Sequence, residues 1–444
     1  MADNSYLPHS NKDLWEKAKK KFEISPKNIK ELNTIFFNDK SPFFEEIDKK
    51  HKSEGENFLK YYEHLRKLAL NLESIFPNPE ISLLKKNTTG KKELTRKEVA
   101  LIFLLSFFNL IDVNQEKGRE TNNFAVYQVL LSLYKIKFEF GRCFLNYLTI
   151  IGKWLSDDNP ILKDKIKFIR NTIKPDIKNF KKETQLCNIS INKTESLFES
   201  KASYFVDFAN MFIGGGVLQG GCVQEEILFA TQPEAIVSMF FMEVMSDNDA
   251  IRIDNLIQYS NYSGYAHSFK FKESAINNND HINNMNNINN INNIKTYKII
   301  AIDASVQYNK YEEIIEKDYI KRDIHKAFVG FNLVNFEDEK NEEKSIATGN
   351  WGCGAFNGDH ELKFFQQWVA ASFAGIETLD YYCYGADEMN YILKNLKEIK
   401  NKYTMAYKLF EDLINKKLFN FNVVKILLDN TNEYKNGKND CICA

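Results

Sequence analysis

Residues 186–432 of this 444-residue chain read as an α/β fold, preceded by an all-helical segment over residues 1–185 and followed by a tail over 433–444. Two observations predict this. Up to about residue 180, apolar residues recur at helical spacing with few strand signals. After Cys187, short β-branched or aromatic runs alternate with helical patterns. Alternation of this kind describes a sheet covered by helices, and by itself it does not choose among the doubly wound folds. A chain of this length favours two packed units with an ample core.

Taken in order, Phe58 to Leu72 carries aliphatic and aromatic residues at helical spacing. Thr95-Arg96-Lys97-Glu98 is a capping box, in which the threonine hydroxyl and the glutamate carboxylate satisfy the free N–H groups that open a helix. The apolar run Val99 to Ile111 follows; interrupted by Ser106 and Asn109, it is too short to span a bilayer and reads as a buried helix. A long helical pattern over Asn122 to Leu155 is expected to break near Gly141. Ser203–Asp207, Ile299–Asp303 and Leu379–Tyr384 read as buried strands. Between them, Thr231-Gln232-Pro233-Glu234 looks like a second capping box, and Asp359 is placed to cap a helix over Leu362–Phe373. The asparagine-dominated stretch Ile276–Ile294 is too poor in varied apolar residues to order itself and is expected to be a mobile surface insertion.

Composition narrows the function classes. Lysine and arginine number 59 against 60 for aspartate and glutamate, so no general electrostatic field would hold nucleic acid, and a polyanionic ligand must be recognised at a local site. The 35 Phe and 21 Tyr favour a packed globular protein over a disordered one. Seven scattered cysteines lack the density and even count of a disulfide framework, and no Cys-x-x-Cys or His-x-x-x-His pair supports a metal site. The start of the chain lacks the pattern of a signal peptide. A reduced, intracellular protein is therefore expected; it is taken as a monomer of nucleus and/or cytoplasm that needs no metal or cofactor. Cys441-Ile442-Cys443-Ala444 fits a permissive C-a-a-X lipidation pattern, although no polybasic tract precedes it.

The most informative stretch is Gly214-Gly215-Gly216 followed by Gln224-Glu225-Glu226. Glycines without a Cβ let backbone N–H groups surround an anion, and a carboxyl pair beside them can transfer protons. Each half alone is commonplace: glycine triplets occur in turns, and a Glu-Glu pair is most often a solvated helix face. Their conjunction carries the signal. A second run, Ala347-Thr348-Gly349-Asn350-Trp351-Gly352-Cys353-Gly354-Ala355-Phe356, is also glycine-rich and again follows a strand pattern. Ligands of open α/β sheets bind where loops leave the carboxyl ends of strands, which is where Asp207, the triplet and Tyr384 fall.

Val206-Asp207-Phe208-Ala209-Asn210, the triplet, Gln224-Glu225-Glu226 and the second run, in this order, resemble the signature of poly(ADP-ribose) glycohydrolases over about Thr95 to Asp387. Residues 1 to about 90 carry little of the likeness. The resemblance implies a macrodomain, a mixed β-sheet flanked by helices and preceded by an all-α accessory domain. It implies Glu226 as general acid, Glu225 as the neighbour that orients ribose, and Asp207 in the same polar network. By the same likeness Asn210 and Gln224 contact the ligand. Gly214, Gly215 and Gly216 form one phosphate jaw, and Asn350, Trp351, Gly352, Cys353, Gly354 and Ala355 form the other. Phe356 packs on the ribose, and Tyr265 supplies a surface for adenine. Tyr384 stands where the family carries phenylalanine, and Glu195 is the best counterpart of an upstream adenine contact. The reading without the family is an Asx turn for Asp207 and Asn210, and a loop-packing thiol for Cys353, since no histidine stands in its motif. The implied substrate is poly(ADP-ribose) on modified proteins, with ADP-ribose as product. A catalytically silent ADP-ribose reader is the alternative.

Overall fold

A computed structural model of the chain describes residues 3–111, 120–176, 180–193, 196–276, 294–306, 316–336, 343–387, 389–418 and 422–429. Most of the Ile276–Ile294 insertion, the C-a-a-X tail and Glu195 lie outside the described residues.

At the centre stands an eight-stranded mixed sheet. Its strands in chain order are β1 (Gly90–Thr95), β2 (Lys165–Thr172), β3 (Asn188–Asn192), β4 (Tyr204–Ala209), β5 (Asp249–Ile257), β6 (Thr296–Asp303), β7 (Ser345–Gly349) and β8 (Thr378–Tyr382). The spatial order is β1-β2-β5-β6-β4-β7-β8-β3. From β6 to β3 neighbouring strands run parallel, whereas β5, β2 and β1 continue the sheet antiparallel. Central strands are buried on both faces with a period of two. Phe205, Ile299 and Ala301 enter one core, and Tyr204, Val206, Ile300 and Ile302 the other.

The first core is shared with the N-terminal helices, among them Lys52–Leu70, Arg96–Phe107 and Lys135–Ser156, through residues such as Phe58, Phe103 and Phe144. The second is covered by Lys317–Asn332, His360–Phe373 and the helices after β8. No helix among the described residues is long and apolar enough to cross a membrane.

Several local expectations are met. Thr95 and Glu98 form the capping box, with the Thr95 N–H donating to Glu98 Oε2 at 2.6 Å and the Glu98 N–H to Thr95 Oγ1 at 3.2 Å. Asp359 Oδ1 accepts from the Leu362 N–H at 2.8 Å and caps its helix.

Others are corrected. The Lys135–Ser156 helix runs unbroken through Gly141, where a Cβ would lie 2.6 Å from Phe43; the glycine permits close packing and no break. Thr231–Glu234 forms no capping box. Thr231 ends the Gln224–Thr231 helix with its hydroxyl donating to Ile227 O at 2.8 Å, and Glu234 is drawn to buried Arg96 and to Tyr259, whose hydroxyl donates at 2.6 Å. The third expected strand ends at Tyr382, and Tyr384 follows it with a φ of 52°. The N-terminal segment is mainly helical but also supplies β1 and β2.

Candidate active site

The sheet parts at its middle. β4 and β7 pair only at Tyr204–Ile346 and Phe205–Ala347, then diverge. In place of β7, the Gln224 side chain continues the ladder: its Oε1 accepts from the Phe208 N–H at 2.8 Å, and its Nε2 donates to Val206 O at 3.0 Å. A cavity of about 460 Å³ opens between the two strand ends, a size usual for small-molecule sites.

Gln224, Glu225 and Glu226 form the first turn of the Gln224–Thr231 helix, where the helix dipole favours negative charge. Glu225 Oε1 accepts from the Gly214 N–H at 2.7 Å and Oε2 from the Asn210 N–H at 2.8 Å. Glu226 Oε1 accepts from the Gly216 N–H at 2.9 Å and Oε2 from the Val223 N–H at 2.9 Å. Glycine is required at 215. Its φ is +49°, and a Cβ would lie 2.4 Å from Glu225 Oε2 and 2.6 Å from Glu226 Oε1.

The triplet therefore wraps the two glutamates. The Gly215 N–H donates to Phe212 O at 3.0 Å, so all three glycine N–H groups have acceptors within the protein, and none of these glycines lines the cavity. This differs from the phosphate jaw expected of them, because the Gly214 and Gly216 N–H groups point at the glutamate carboxylates and that of Gly215 at a backbone carbonyl.

Asp207 lies fully buried on β4 behind the glutamates, and neither of its carboxyl oxygens has a hydrogen-bond partner among the described residues. Burial lifts its carboxyl well above the ordinary range, and repulsion from Glu226 adds to the shift. Burial also raises Glu225, helped by repulsion from Asp207 and Glu226, while the two N–H bonds to it pull the other way.

Asn350 to Phe356 form the opposite wall. Asn350 ties this loop to the end of β8, its Nδ2 donating to Cys383 O at 2.9 Å and its Oδ1 accepting from the Tyr381 hydroxyl at 3.2 Å. Buried Trp351 donates from Nε1 to Ile302 O at 2.9 Å. The N–H groups of Gly354, Ala355 and Phe356 have no acceptor among the described residues. Beneath the loop lies fully buried Lys363, ion-paired to buried Asp323 and 4.7 Å from the Trp351 ring centre.

The cavity thus brings together Asn210, Gln224, Glu225, Glu226, Tyr265, Tyr384 and the whole 350–356 loop, with Asp207 behind them. Asn210 does form the Asx turn of the plainer reading, its Oδ1 accepting from the Phe212 N–H at 3.0 Å. Tyr265 and Tyr384 stand half-exposed or more at the mouth. Sequence reasoning missed Ser196, Tyr262 and His360, which also line the cavity. Tyr262 was within reach as part of the Tyr262-Ser263-Gly264-Tyr265 run; His360 carries no local signal beyond the cap that precedes it.

Comparison with known proteins identifies the family. The family model for the macro-domain-fold part of poly(ADP-ribose) glycohydrolase matches residues 176–391, and that for its helical domain matches residues 50–170, which extends the likeness well before Thr95. The chain is 30% identical over 268 residues to poly(ADP-ribose) glycohydrolase 1 of Arabidopsis thaliana, covering 46% of each chain. It is 35% identical over 214 residues to poly(ADP-ribose) glycohydrolase 1 of Caenorhabditis elegans, covering 47% of this chain and 27% of the other. The crystal structure of the Thermomonospora curvata poly(ADP-ribose) glycohydrolase is matched at 13% identity and a TM-score of 0.29, over 46% of this chain and 74% of that one. The chain spans about half the length of the plant relative and about a quarter of the nematode one. On the two family models, which between them run from residue 50 to 391 with one short gap, the chain belongs to the poly(ADP-ribose) glycohydrolase family, with its macrodomain fold and helical N-terminal domain.

Proposed function

We propose that the protein hydrolyses the ribose–ribose O-glycosidic bonds of poly(ADP-ribose), working inward from chain ends and releasing ADP-ribose. The observation that carries this reading is the cluster of three carboxyl groups at the parted strands, two of them lining the cavity and held by backbone N–H groups. A module that only binds ADP-ribose needs a fitted cavity and no such cluster.

In this mechanism Glu226 gives its proton to the bridging ribose oxygen as the bond from that oxygen to the anomeric carbon breaks. The electron pair leaves with the oxygen, and positive charge develops on the ring. Water then adds to the anomeric carbon and loses a proton to the Glu226 carboxylate, which restores the acid. Paired glycosidase carboxyls stand about 5 to 9 Å apart across the scissile bond. Glu225 and Glu226 share one helical turn, so this mechanism is dissociative and uses one acid. Glu225, fixed by two N–H bonds, orients the ribose. Asp207, without a donor, stays protonated under burial throughout the cycle, its proton separate from the one that Glu226 transfers. The N–H groups of Gly354, Ala355 and Phe356 receive the diphosphate, Phe356 packs on the ribose, and Tyr265 and Tyr384 flank the adenine.

Glu226→Gln tests the assignment through release of ADP-ribose from purified polymer and calorimetry with ADP-ribose. Turnover is expected to fall about 10²–10⁴-fold with ADP-ribose affinity held within a few-fold, and a variant within about tenfold of the parent rate removes Glu226 from this role. Tight binding by the unaltered protein without any release would identify a reader in place of an enzyme.

A further inference from the structure

A path of close contacts leads from Glu226 out of the cavity to an exposed patch that the proposed mechanism leaves unused. A Cβ on Gly221 would lie 2.9 Å from Glu226 Oε1. Its neighbour Gly220, at a φ of +102°, packs against Tyr134: a Cβ there would lie 3.1 Å from Tyr134 Cε1 and 3.6 Å from Lys137 Cε. Tyr134 is 47% exposed and Leu133 63% exposed. Lys135 stands beside them, its Nζ donating to His267 O at 3.1 Å, two residues from the cavity residue Tyr265. Val223, 39% exposed, stands on the cavity rim.

An aromatic face next to two ammonium groups is the combination that takes a nucleobase and its phosphates. We propose that Tyr134, Lys135 and Lys137 form the subsite for the departing unit of the polymer, adenine lying on the Tyr134 ring and its diphosphate against the two lysines. This rests on poly(ADP-ribose) being the substrate. If Glu226 protonates the bridging oxygen, the ribose that leaves lies on the far side of that oxygen from the held unit, and its adenine and diphosphate must follow a surface that starts at Glu226. Gly221 and Gly220 begin such a surface. The absence of side chains at both lets this loop pack directly against the acid on one side and the Tyr134 ring on the other, and at Gly220 the positive φ independently favours glycine.

The test compares polymer with ADP-ribose that carries a small aryl leaving group on its anomeric carbon, a substrate with nothing to fill the patch. Tyr134→Ala and Lys137→Glu are each expected to raise KM for polymer about tenfold relative to KM for the aryl substrate, and Tyr134→Phe to keep the parent ratio. In parallel, labelled polymer and free ADP-ribose are titrated against each variant, with the same differential expected in Kd. An unchanged ratio in Tyr134→Ala, or an equal loss on both substrates and both ligands, overturns the subsite. Should the parent protein cleave neither substrate, the hydrolase reading fails, and the two binding titrations still decide the patch.

Discussion

Asp207, Glu225 and Glu226 place three acidic side chains in one buried cluster, and the fold manages them unequally. Two are stabilised by backbone N–H groups delivered by a loop whose glycines can approach within a distance no Cβ would tolerate. Asp207 has only burial and like charge around it. Because the folded-state pKa values of Asp207 and Glu225 are raised, the stability linked to them is fully present below the ordinary carboxylate range and is lost as pH rises through the folded values. Asp207→Asn removes part of that loss. Its melting temperature relative to the parent is therefore expected to rise by several degrees between about pH 5 and about pH 8, and a difference that stays flat across this window would show that Asp207 carries no buried-charge penalty. The acids themselves were legible in the sequence because they lie together near the glycines. What the glycines do was not, since composition gives a loop its freedom but not the direction of its N–H groups.

Elements of the site are held by contacts that act across the chain. The capping boxes show the contrast. Thr95 and Glu98 need only each other and were readable, whereas Glu234 was claimed by Arg96, 138 residues away, and no local pattern reveals that. The cavity itself comes from a similar long-range event, the Gln224 side chain standing in for a strand where β4 and β7 separate. The 350–356 loop is supported from below by Lys363, which packs under Gly352 and Gly358 and pairs with Asp323, itself held by Arg322 at 2.9 Å. Without Lys363, buried Asp323 keeps Arg322 as its cation but loses the partner that is itself fully buried. Lys363→Met is expected to cost about 3–5 kcal/mol and to weaken ADP-ribose binding through the loop, and Asp323→Asn in the same chain to recover part of the stability. Denaturant titration of the single and double variants measures this; full additivity of the two losses would mean that the pair is not coupled.

At the scale of the whole molecule, the division of labour between helical and α/β parts is less sharp than the change of sequence pattern near Cys187. β1 and β2 were passed over as strands in a segment read as helical, although Lys165-Ile166-Lys167-Phe168 alternates polar and apolar residues as a half-buried strand does, and β1 carries the charges that guard an exposed sheet edge. Both belong to the central sheet, and β2 contributes Ile166 and Phe168 to the core shared with the N-terminal helices and with Phe205 and Ile299. Arg96, at the start of a buried helix, donates to Asn255 O at 2.9 Å and pairs with Glu234, fastening that helix to β5. A fragment starting at residue 186 would lose two strands and the cover over one face of the sheet. Exposed apolar area on that scale drives association, so the fragment is expected to aggregate or to bind a hydrophobic dye, whereas the full chain melts in a single calorimetric transition. A soluble fragment that melts cooperatively near the parent temperature, or two separated transitions in the full chain, would show that the helical part is an independent domain and that the shared core adds little to the stability of the site it covers.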